Sequence, residues 1–331
     1  MIYDFYGNEI SSIYSLTGEE CDGYDIAGNL LISSIDPLPI DTVPSYFQSD
    51  VANALNYVDE LGEGYVNYIA VTDSHYNLNV GNTFKIMNYL YSQGKFDKLI
   101  HLGDLLEEDN VDSDNWISAT DAGLPTYKKW LFTQGNHDNG IAPISQVDSL
   151  FMDSTVHYIT HSYHNAWYYD NKQYKIRFIG LHHYLYANSA IRQEVEGFLE
   201  SMPNGYAWIF VSHYPMLPVT EKDDIWKRDY CMSEDAETWV KGLIDIYPRC
   251  IGIFSGHQHL DRYDLLSTGS KNFNHLTLDA DIKRTGNVGT NKEQVVSILS
   301  INPTTESIKL YRIGRSEVFV SNPLEFSGFT Q

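Results

Sequence analysis

The chain has 331 residues, of which 43% are hydrophobic and 20% are charged, and its formal net charge is -22. This composition is ordinary for a globular protein, and the length allows one large domain or two modest ones. A surface this acidic repels nucleic-acid backbones and anionic membranes, so general nucleic-acid binding is not expected. An anionic substrate stays open, because bound divalent cations can reverse the electric field locally.

The start of the chain bears on cellular location. It has no basic segment followed by an apolar one, so no secretory signal is visible and a cytoplasmic location is the default expectation. No apolar run approaches the roughly 20 residues of a membrane-spanning helix, so membrane insertion is not expected. An extracellular or virion-associated location stays open, and the sequence does not specify the oligomeric state.

Residues 1–62 differ in pattern from the rest of the chain. Short alternating runs such as residues 29–33 are followed by Pro37, Pro39 and Pro44. This pattern predicts a small β-containing extension that ends in an extended linker. Two interpretations stay open, namely a strand or arm packed on the main domain and an attachment or oligomerisation module.

From residue 64 onward, buried-strand patterns alternate with helical ones. The predicted elements are a strand over 65–71, a helix over 81–93, a strand over 98–102, a helix over 114–129 and a strand over 130–133. Strands separated by helices predict a β-α-β-α-β unit with parallel strands and right-handed crossovers.

The remaining part continues this alternation and ends in an antiparallel pair. Predicted here are strands over 175–181, 207–212 and 250–255, helices over 191–201 and 236–246, and a hairpin of strands over 294–301 and 307–313. The main domain is therefore predicted over residues 63–318, and a C-terminal tail over 319–331.

Polar side chains follow five of the predicted strands, at the point where each strand ends. The five motifs are Asp73-Ser74-His75, Gly103-Asp104, Gly135-Asn136-His137-Asp138, His213 and Gly256-His257-Gln258-His259. Ligand sites of parallel α/β sheets lie at the carboxyl ends of the strands, and the three glycines permit sharp turns and close approach. Each motif alone is common in ordinary turns, but the five together indicate a metal site at one rim of the sheet.

These motifs, in this order and spacing, resemble those of the calcineurin-like metallophosphoesterase superfamily over residues 64–285. The resemblance implies an α/β fold, specifically a four-layer α/β/β/α sandwich with the metals on the rim of two facing sheets. The C-terminal hairpin is expected to add to the second of these sheets.

The resemblance also implies a ligand set for two divalent transition-metal ions. One ion would be held by Asp73, His75, Asp104 and His259, and the other by Asp104, Asn136, His213 and His257. Asp104 would thus bridge the two ions. Carboxylate, amide and imidazole donors suit Mn, Fe, Zn, Co or Ni better than calcium, and the absence of cysteine ligands argues against a structural zinc finger.

The implied reaction is hydrolysis of a phosphate ester, either a monoester or a diester, on a small molecule or a polymer. Two metals about 3.5–4 Å apart lower the pKa of a bridging water, and the resulting hydroxide attacks phosphorus in line. His137 would stabilise the phosphoryl charge or protonate the leaving group. Asp138 would orient His137 and favour its protonated form, and the alternative for Asp138 is a carboxylate that caps the turn.

Three further residues are candidates for substrate contact. His182 and His183 follow the strand predicted over 175–181, and Tyr214 follows His213. The alternative for the two histidines is plain packing or solvent exposure. A different class of function also stays open, a metal-containing binding or structural module of an extracellular or viral assembly, although the intact set of motifs favours an enzyme.

Overall fold

The computed structural model describes residues 2–3, 9–10, 37–75, 81–105, 130–138, 155–161, 164–181, 189–216, 231–281, 285–315 and 322–330. The helices in these ranges are α1 (Gln48–Glu60), α2 (Gly81–Ser92), α3 (Ser189–Glu200) and α4 (Glu234–Ile246). The strands are β1 (Ile2–Tyr3), β2 (Glu9–Ile10), β3 (Val66–Val71), β4 (Leu99–His101), β5 (Trp130–Phe132), β6 (Val156–His161), β7 (His164–Asn171), β8 (Ile176–Leu181), β9 (Ala207–Ser212), β10 (Cys250–Ser255), β11 (Arg262–Ser267), β12 (Asn272–Thr277), β13 (Val295–Asn302), β14 (Ser307–Gly314) and β15 (Leu324–Ser327). Strands β1 and β2 pair with each other as a separate antiparallel hairpin.

Six strands form the first large sheet in the order β15-β14-β13-β3-β4-β5, which is called the β3 sheet below. Strands β3, β4 and β5 are parallel, as the alternating pattern predicts, and β13 lies antiparallel beside β3. All three residues of β4 and all three of β5 are buried. Their nearly continuous apolar sequence fits parallel strands that are covered on both faces.

Seven strands form the second large sheet in the order β11-β12-β10-β9-β8-β7-β6, which is called the β9 sheet. Its central strands β8, β9, β10 and β12 are parallel, and β6–β7 and β11 complete it with antiparallel pairs. Along β9, Ile209 and Val211 belong to the core between the sheets, whereas Trp208 and Phe210 belong to the core under the helices. The alternation follows from the two-residue period of a strand.

Helices cover the outer face of each sheet, so the molecule has four layers. Helices α1 and α2 pack on the β3 sheet, and α3 and α4 bury Val195, Phe198 and Val240 against the β9 sheet. The fold is therefore the α/β/β/α sandwich that the sequence motifs predict. None of the helices in the described ranges is both long and apolar enough to cross a bilayer.

Strands β3, β4, β5, β9 and β10 all end at the same edge of the sandwich. This edge is called the rim, and the opposite edge, where these strands begin, is called the base. A hydrogen bond between Nδ1 of His213 and the carbonyl oxygen of Leu102, at 2.8 Å, joins the two sheets at the rim. The rim is therefore the place where turns from both sheets meet.

Helix α1 differs from the sequence prediction. An extended linker is expected there, and that prediction is wrong for Gln48–Glu60, which is helical. Phe47, Val51 and Val58 recur at helical spacing and pack into the core of the β3 sheet. The predicted domain boundary at residue 62 thus separates a helix from the core that it contacts.

The C-terminal hairpin forms where the sequence predicts it, but its placement in the second sheet is wrong. Strand β13 pairs with β3, so the hairpin belongs to the β3 sheet. Strand β15 lies in the predicted tail and pairs with β14, and strands β6, β7, β11 and β12 also lack a sequence prediction. The predicted helix over 114–129 and the short run at 29–33 lie outside the described residues.

Candidate metal centre

Five strand ends bring the seven predicted metal ligands to one place at the rim. The β3 sheet supplies Asp73 and His75 after β3, Asp104 after β4 and Asn136 after β5, and the β9 sheet supplies His213 after β9 and His257 and His259 after β10. Carboxylates and the amide therefore come from one sheet, and three of the four imidazoles come from the other. The site is complete only when the two sheets pack together.

His213 is the centre of one group of donor atoms. Its Nε2 lies 3.1 Å from Oδ2 of Asp104, 3.2 Å from Oδ1 of Asn136 and 3.1 Å from Nδ1 of His257. A carbonyl oxygen can only accept a hydrogen bond, so the Nδ1–H of His213 donates to Leu102 and Nε2 is left facing the site.

Asp73 is the centre of a second group. Its Oδ1 lies 3.2 Å from Nε2 of His259, and that nitrogen lies 3.3 Å from Nε2 of His75. Its Oδ2 accepts hydrogen bonds from the Thr72 hydroxyl at 2.6 Å and from the backbone N–H of His257 at 2.8 Å. The protein thus holds one carboxylate oxygen and directs the other toward the imidazoles.

Two sets of donor atoms are compact enough to hold an ion, with the atoms of each set within 4.8 Å of one another. One set is Asp73, Asp104, His213 and His257, and the other is Asp73, His75 and His259. Asp73 is the carboxylate that both sets share. The resemblance assigns the shared position to Asp104, and that assignment stays a prediction.

The rim concentrates left-handed backbone. Of the eight non-glycine residues with positive φ in the described ranges, five are predicted ligands, with φ of 49° at Asp73, 42° at His75, 53° at Asp104, 70° at His257 and 52° at His259. Such a conformation costs of order 1–3 kcal/mol at each residue and persists only where the surroundings enforce it. The turns are therefore shaped by their contacts and not by local preference.

The glycines of three motifs allow these turns to approach each other, as the sequence predicts. A Cβ atom on Gly103, whose φ is 105°, would lie 2.5 Å from Nδ1 of His213. On Gly135 it would lie 2.0 Å from Oδ1 of Asp104, and on Gly256 it would lie 1.9 Å from Oγ1 of Thr72. A side chain at any of these positions would push the ligand-bearing turns apart.

The buried carboxylates set the charge of the site. Burial on its own raises the pKa of Asp73 and Asp104, but His213 outweighs it, and both pKa values lie below their usual range. Burial likewise opposes the charge of His213, yet Asp104 and Asp73 raise its pKa to about 9. Burial lowers the pKa of His75 to about 4 and that of His257 to about 3, so these rings are neutral. Two carboxylates that attract positive charge thus lie beside neutral imidazoles that can act as ligands.

This donor set fits divalent transition metals. Oδ1 of Asp73 is buried and accepts no well-aligned hydrogen bond within the described residues, and it lies 3.2 Å from Nε2 of His259 and 4.0 Å from Nε2 of His213, so it faces a position that favours positive charge. The surrounding imidazole, carboxylate and amide donors match the preferences of Mn, Fe, Co, Ni and Zn. Donor–donor separations of 3.1 and 3.3 Å also suit an ion bonded to each donor at about 2.0–2.2 Å.

His137 lies beside the donors, outside both compact sets. Its ring centroid is 4.8 Å from that of His75, its Nε2 is 4.0 Å from Oδ2 of Asp104, and its side chain is 39% exposed. Its backbone N–H donates to Oδ1 of Asp104 at 2.8 Å. An exposed imidazole is thus anchored through its backbone at the edge of the site.

Asp138 is buried and contacts the neighbouring turns through its carboxylate. Its Oδ2 accepts hydrogen bonds from the backbone N–H of Asp104 at 2.9 Å and of Gly135 at 2.8 Å. These are the contacts of the alternative interpretation, a carboxylate that caps the turn. The assignment of Asp138 as the partner of the His137 ring stays a prediction.

Among the predicted substrate contacts, Tyr214 lies at the site. Its ring centroid is 4.2 Å from that of His257 and 5.6 Å from that of His213. The half-buried tyrosine thus borders the imidazoles of the β9 sheet, and its contact with substrate stays a prediction. His182 and His183 lie outside the described residues.

Sequence reasoning missed the residues that hold the ligands from behind. The hydroxyl of Thr72 fixes Asp73, and the carbonyl of Leu102 fixes His213. A threonine next to Asp-x-His was a weak signal that could have been noticed. A backbone carbonyl has no sequence signal at all, because every residue carries one.

The sequence profile of the family described as calcineurin-like phosphoesterase matches residues 66–261, which is more than half of the chain. This stretch begins with β3 and contains every predicted metal ligand and His137. The chain belongs to the calcineurin-like phosphoesterase family, and its two-sheet sandwich is the fold of that family.

The solved structures that match this chain are remote in sequence. Vacuolar protein sorting 29 from Cryptosporidium parvum is 11% identical with a TM-score of 0.37, covering 80% of this chain and 100% of that chain. Phosphopantetheinyl hydrolase from Mycobacterium tuberculosis is 15% identical with a TM-score of 0.36, covering 66% and 91%. A phosphatase from Mycoplasma pneumoniae is 12% identical with a TM-score of 0.33, covering 77% and 95%. No curated protein sequence matches the chain significantly.

Proposed function

We propose that this protein hydrolyses phosphate esters with two divalent transition-metal ions bound at the rim. The observation that carries the proposal is the convergence of donor atoms from five strand ends, with Nε2 of His213 within 3.2 Å of donors from three other turns. Membership of the calcineurin-like phosphoesterase family supports the substrate class. The proposal covers monoesters and diesters alike.

Seven side chains are assigned to the ions. Asp73, His75, Asp104 and His259 would hold one ion, and Asp104, Asn136, His213 and His257 would hold the other. When bound, such ions supply positive charge for the phosphate oxygens and lower the pKa of a water that attacks phosphorus. The protein keeps the donors in place through the second oxygen of Asp73, which Thr72 and the backbone of His257 hold.

His137 is assigned to the transferring phosphoryl group or the leaving oxygen. The ring lies next to the donors but is 39% exposed, so an ester oxygen can reach it from solvent. It can donate a hydrogen bond to a phosphoryl oxygen, or a proton to the leaving oxygen as the P–O bond breaks. The backbone bond from His137 to Asp104 keeps this ring beside the ions.

The overall charge of the protein makes local cations important for this function. A net charge of -22 repels a phosphate ester at long range. Two divalent ions held by these side chains would reverse the sign of the field where the substrate binds. The proposal therefore predicts that metal removal abolishes both turnover and phosphate binding.

The test compares two aspartates at opposite ends of β4. The protein is loaded with Mn²⁺ and assayed with bis(p-nitrophenyl) phosphate and with p-nitrophenyl phosphate. Asp104→Asn removes a carboxylate at the rim, and Asp97→Asn removes one at the base, where Asp97 accepts hydrogen bonds from Tyr169 and Asn171. We expect Asp104→Asn to lose on the order of a hundredfold in activity and Asp97→Asn to retain it.

The metal content of each protein is measured in parallel by elemental analysis. Bound metal with no hydrolysis of either ester in the wild-type protein would contradict the proposal and favour a binding module. Equal losses of activity in Asp104→Asn and Asp97→Asn would show that the rim has no special role.

A further inference from the structure

His101 is a fully buried histidine in the middle of an apolar environment. It ends β4 after Leu99 and Ile100, which are both core residues. Its ring is stacked on Trp130, with centroids 5.5 Å apart and planes at 23°, and it also contacts Phe132. Burying a polar side chain here costs free energy unless its nitrogens find partners.

Both ring nitrogens of His101 have partners, and the partners lie in two different metal-binding turns. The backbone N–H of Gly103 donates to Nδ1 at 3.2 Å, and Nε2 lies 2.9 Å from Oγ of Ser74. Burial lowers the pKa of His101 to about 3, so the ring is neutral and has one acceptor and one donor. Because Nδ1 accepts from Gly103, the hydrogen is on Nε2 and is donated to Ser74.

The two turns that His101 joins carry three predicted ligands. Ser74 lies between Asp73 and His75, and Gly103 immediately precedes Asp104. The same turns are also joined through their backbones, since Asp73 N–H donates to Gly103 at 2.8 Å and His75 N–H donates to Asp104 at 3.1 Å. The His101 ring adds a side-chain link from inside the core.

Left-handed backbone explains why such a link is needed. The three ligands in these turns all have positive φ, a conformation that non-glycine residues abandon unless their surroundings enforce it. A rigid ring stacked on Trp130 fixes both turns to β4 and β5. Ligand atoms are useful to a metal ion only when they are already near their bonding positions.

We infer that His101 is a positioning residue for the metal centre, which holds the Asp73–His75 turn and the Gly103–Asp104 turn in their metal-binding arrangement through Ser74 and Gly103. The inference rests on the proposed function, because it assumes that these turns bind metal. His101 itself does not contact metal or substrate. Its loss weakens metal binding because the donors are no longer preorganised.

The experiment titrates Mn²⁺ into the metal-free full-length protein by calorimetry. His101→Phe keeps a stacked ring but loses both hydrogen bonds, His101→Gln keeps a donor for Ser74, and Ser74→Ala loses only the Ser74 bond. We expect the Kd for Mn²⁺ to rise about tenfold in His101→Phe and less in the other two. Hydrolysis at limiting Mn²⁺ should fall in the same order and recover as Mn²⁺ is raised.

A double-mutant cycle separates positioning from general destabilisation. If the bond to Ser74 transmits the effect, adding Ser74→Ala to His101→Phe causes no further loss of Mn²⁺ affinity. Ile100→Val is the control, because it removes a methyl group from the core of the same strand without touching either turn. Its Mn²⁺ affinity should equal that of the wild type.

The outcomes distinguish this inference from the proposed function. If the wild-type protein binds no Mn²⁺ and hydrolyses no ester, the proposed function and the inference about His101 are both contradicted. If it binds Mn²⁺ and folded His101→Phe binds equally well, or if Ile100→Val weakens binding as much, only the inference is overturned. Should His101→Phe not fold, Ser74→Ala decides, and unchanged affinity in Ser74→Ala overturns the link through Ser74.

Discussion

The rim and the base of the sandwich both contain residues with left-handed backbone, but the two ends use this conformation differently. At the base, Lys175, Arg249 and Glu306 have φ of 55°, 62° and 54° in turns between elements. Among the described residues of the rim, the five with positive φ outside glycine are all predicted ligands, and three of them are buried. The base uses left-handed residues to reverse the chain, whereas the rim uses them to aim donor atoms at one point.

The two ends differ in the same way in their charges. Asp97, at the base of β4, accepts hydrogen bonds from Tyr169 and Asn171. Asp104, at the rim of the same strand, faces His213 at 3.1 Å inside a cluster of donors from both sheets. Two aspartates that flank one strand thus have different roles, since Asp97 belongs to a hydrogen-bond network at the base and Asp104 belongs to a candidate metal site at the rim. Matched substitutions at the two ends test whether this distinction is functional.

The largest expected difference concerns catalysis. His137→Ala should lower kcat by about a hundredfold or more while the protein keeps its metal, because the ring acts on the substrate and not as a ligand. His157→Ala is the control, since His157 is an exposed histidine at the base end of β6. Steady-state kinetics with Mn²⁺ measure kcat of both variants, and metal analysis shows whether His137→Ala keeps its metal. Loss of metal in His137→Ala would reassign the residue as a ligand.

A smaller difference is expected for two glycines with positive φ. Gly205, at the base, has φ of 83° and open space around its Cβ position, whereas the Cβ position of Gly103 meets His213 and the backbone of Gly135. We expect Gly205→Ala to cost about 1–2 kcal/mol and Gly103→Ala to cost at least about 3 kcal/mol in the free energy of unfolding. Urea denaturation measures both. Equal costs would mean that the turns at the rim can separate without penalty.

The acid sensitivity of the rim provides a third comparison. The pKa of His101 is lowered by burial to about 3, below its unfolded value of about 6.5, so the unfolded chain binds a proton in this window and the folded chain does not. Stability conferred by the neutral ring is therefore present above about pH 6.5 and is lost as pH falls.

The variant His101→Gln has no titrating group at this position. Between about pH 6 and about pH 4.5, we expect the free energy of unfolding to fall by about 2 kcal/mol less in His101→Gln than in the wild type. Urea unfolding with a chelator present, at several pH values, measures this difference, and the other titrating groups are common to both proteins. Parallel pH profiles would contradict a neutral, buried His101.

The smallest expected effect is at an exposed turn of the base. Lys175→Gly removes the cost of a left-handed lysine and should raise the free energy of unfolding by about 0.5 kcal/mol, net of the entropy that glycine adds to the unfolded chain.

His257→Gly is the matching variant at the rim, where it relieves similar backbone strain but removes a donor. Its Mn²⁺ affinity should fall sharply in calorimetric titration. Retained affinity in His257→Gly would remove that residue from the ligand set.

Much of the site was predictable because its signals are local. Strands β3, β4 and β9 are short apolar runs, and a polar motif directly follows each of them, so the direction of the chain already places Asp73, Asp104 and His213 at one edge. The glycines at 103 and 135 indicated close approach before any distance was known. Helix α1 was missed because a proline cluster precedes it, although Phe47 and Val51 follow the helical period.

The sequence by itself determined the alternation of strands and helices, the donor types and their order along the chain. These features depend on residue period and on the residue types directly after each strand, and both can be observed without knowing the fold. The tertiary structure alone decided that the C-terminal hairpin pairs with β3, that Asp73 is common to both donor sets and that His101 joins two turns. The reason is that each of these depends on at least one contact between segments distant in sequence, and such contacts are determined by the packing of the whole core.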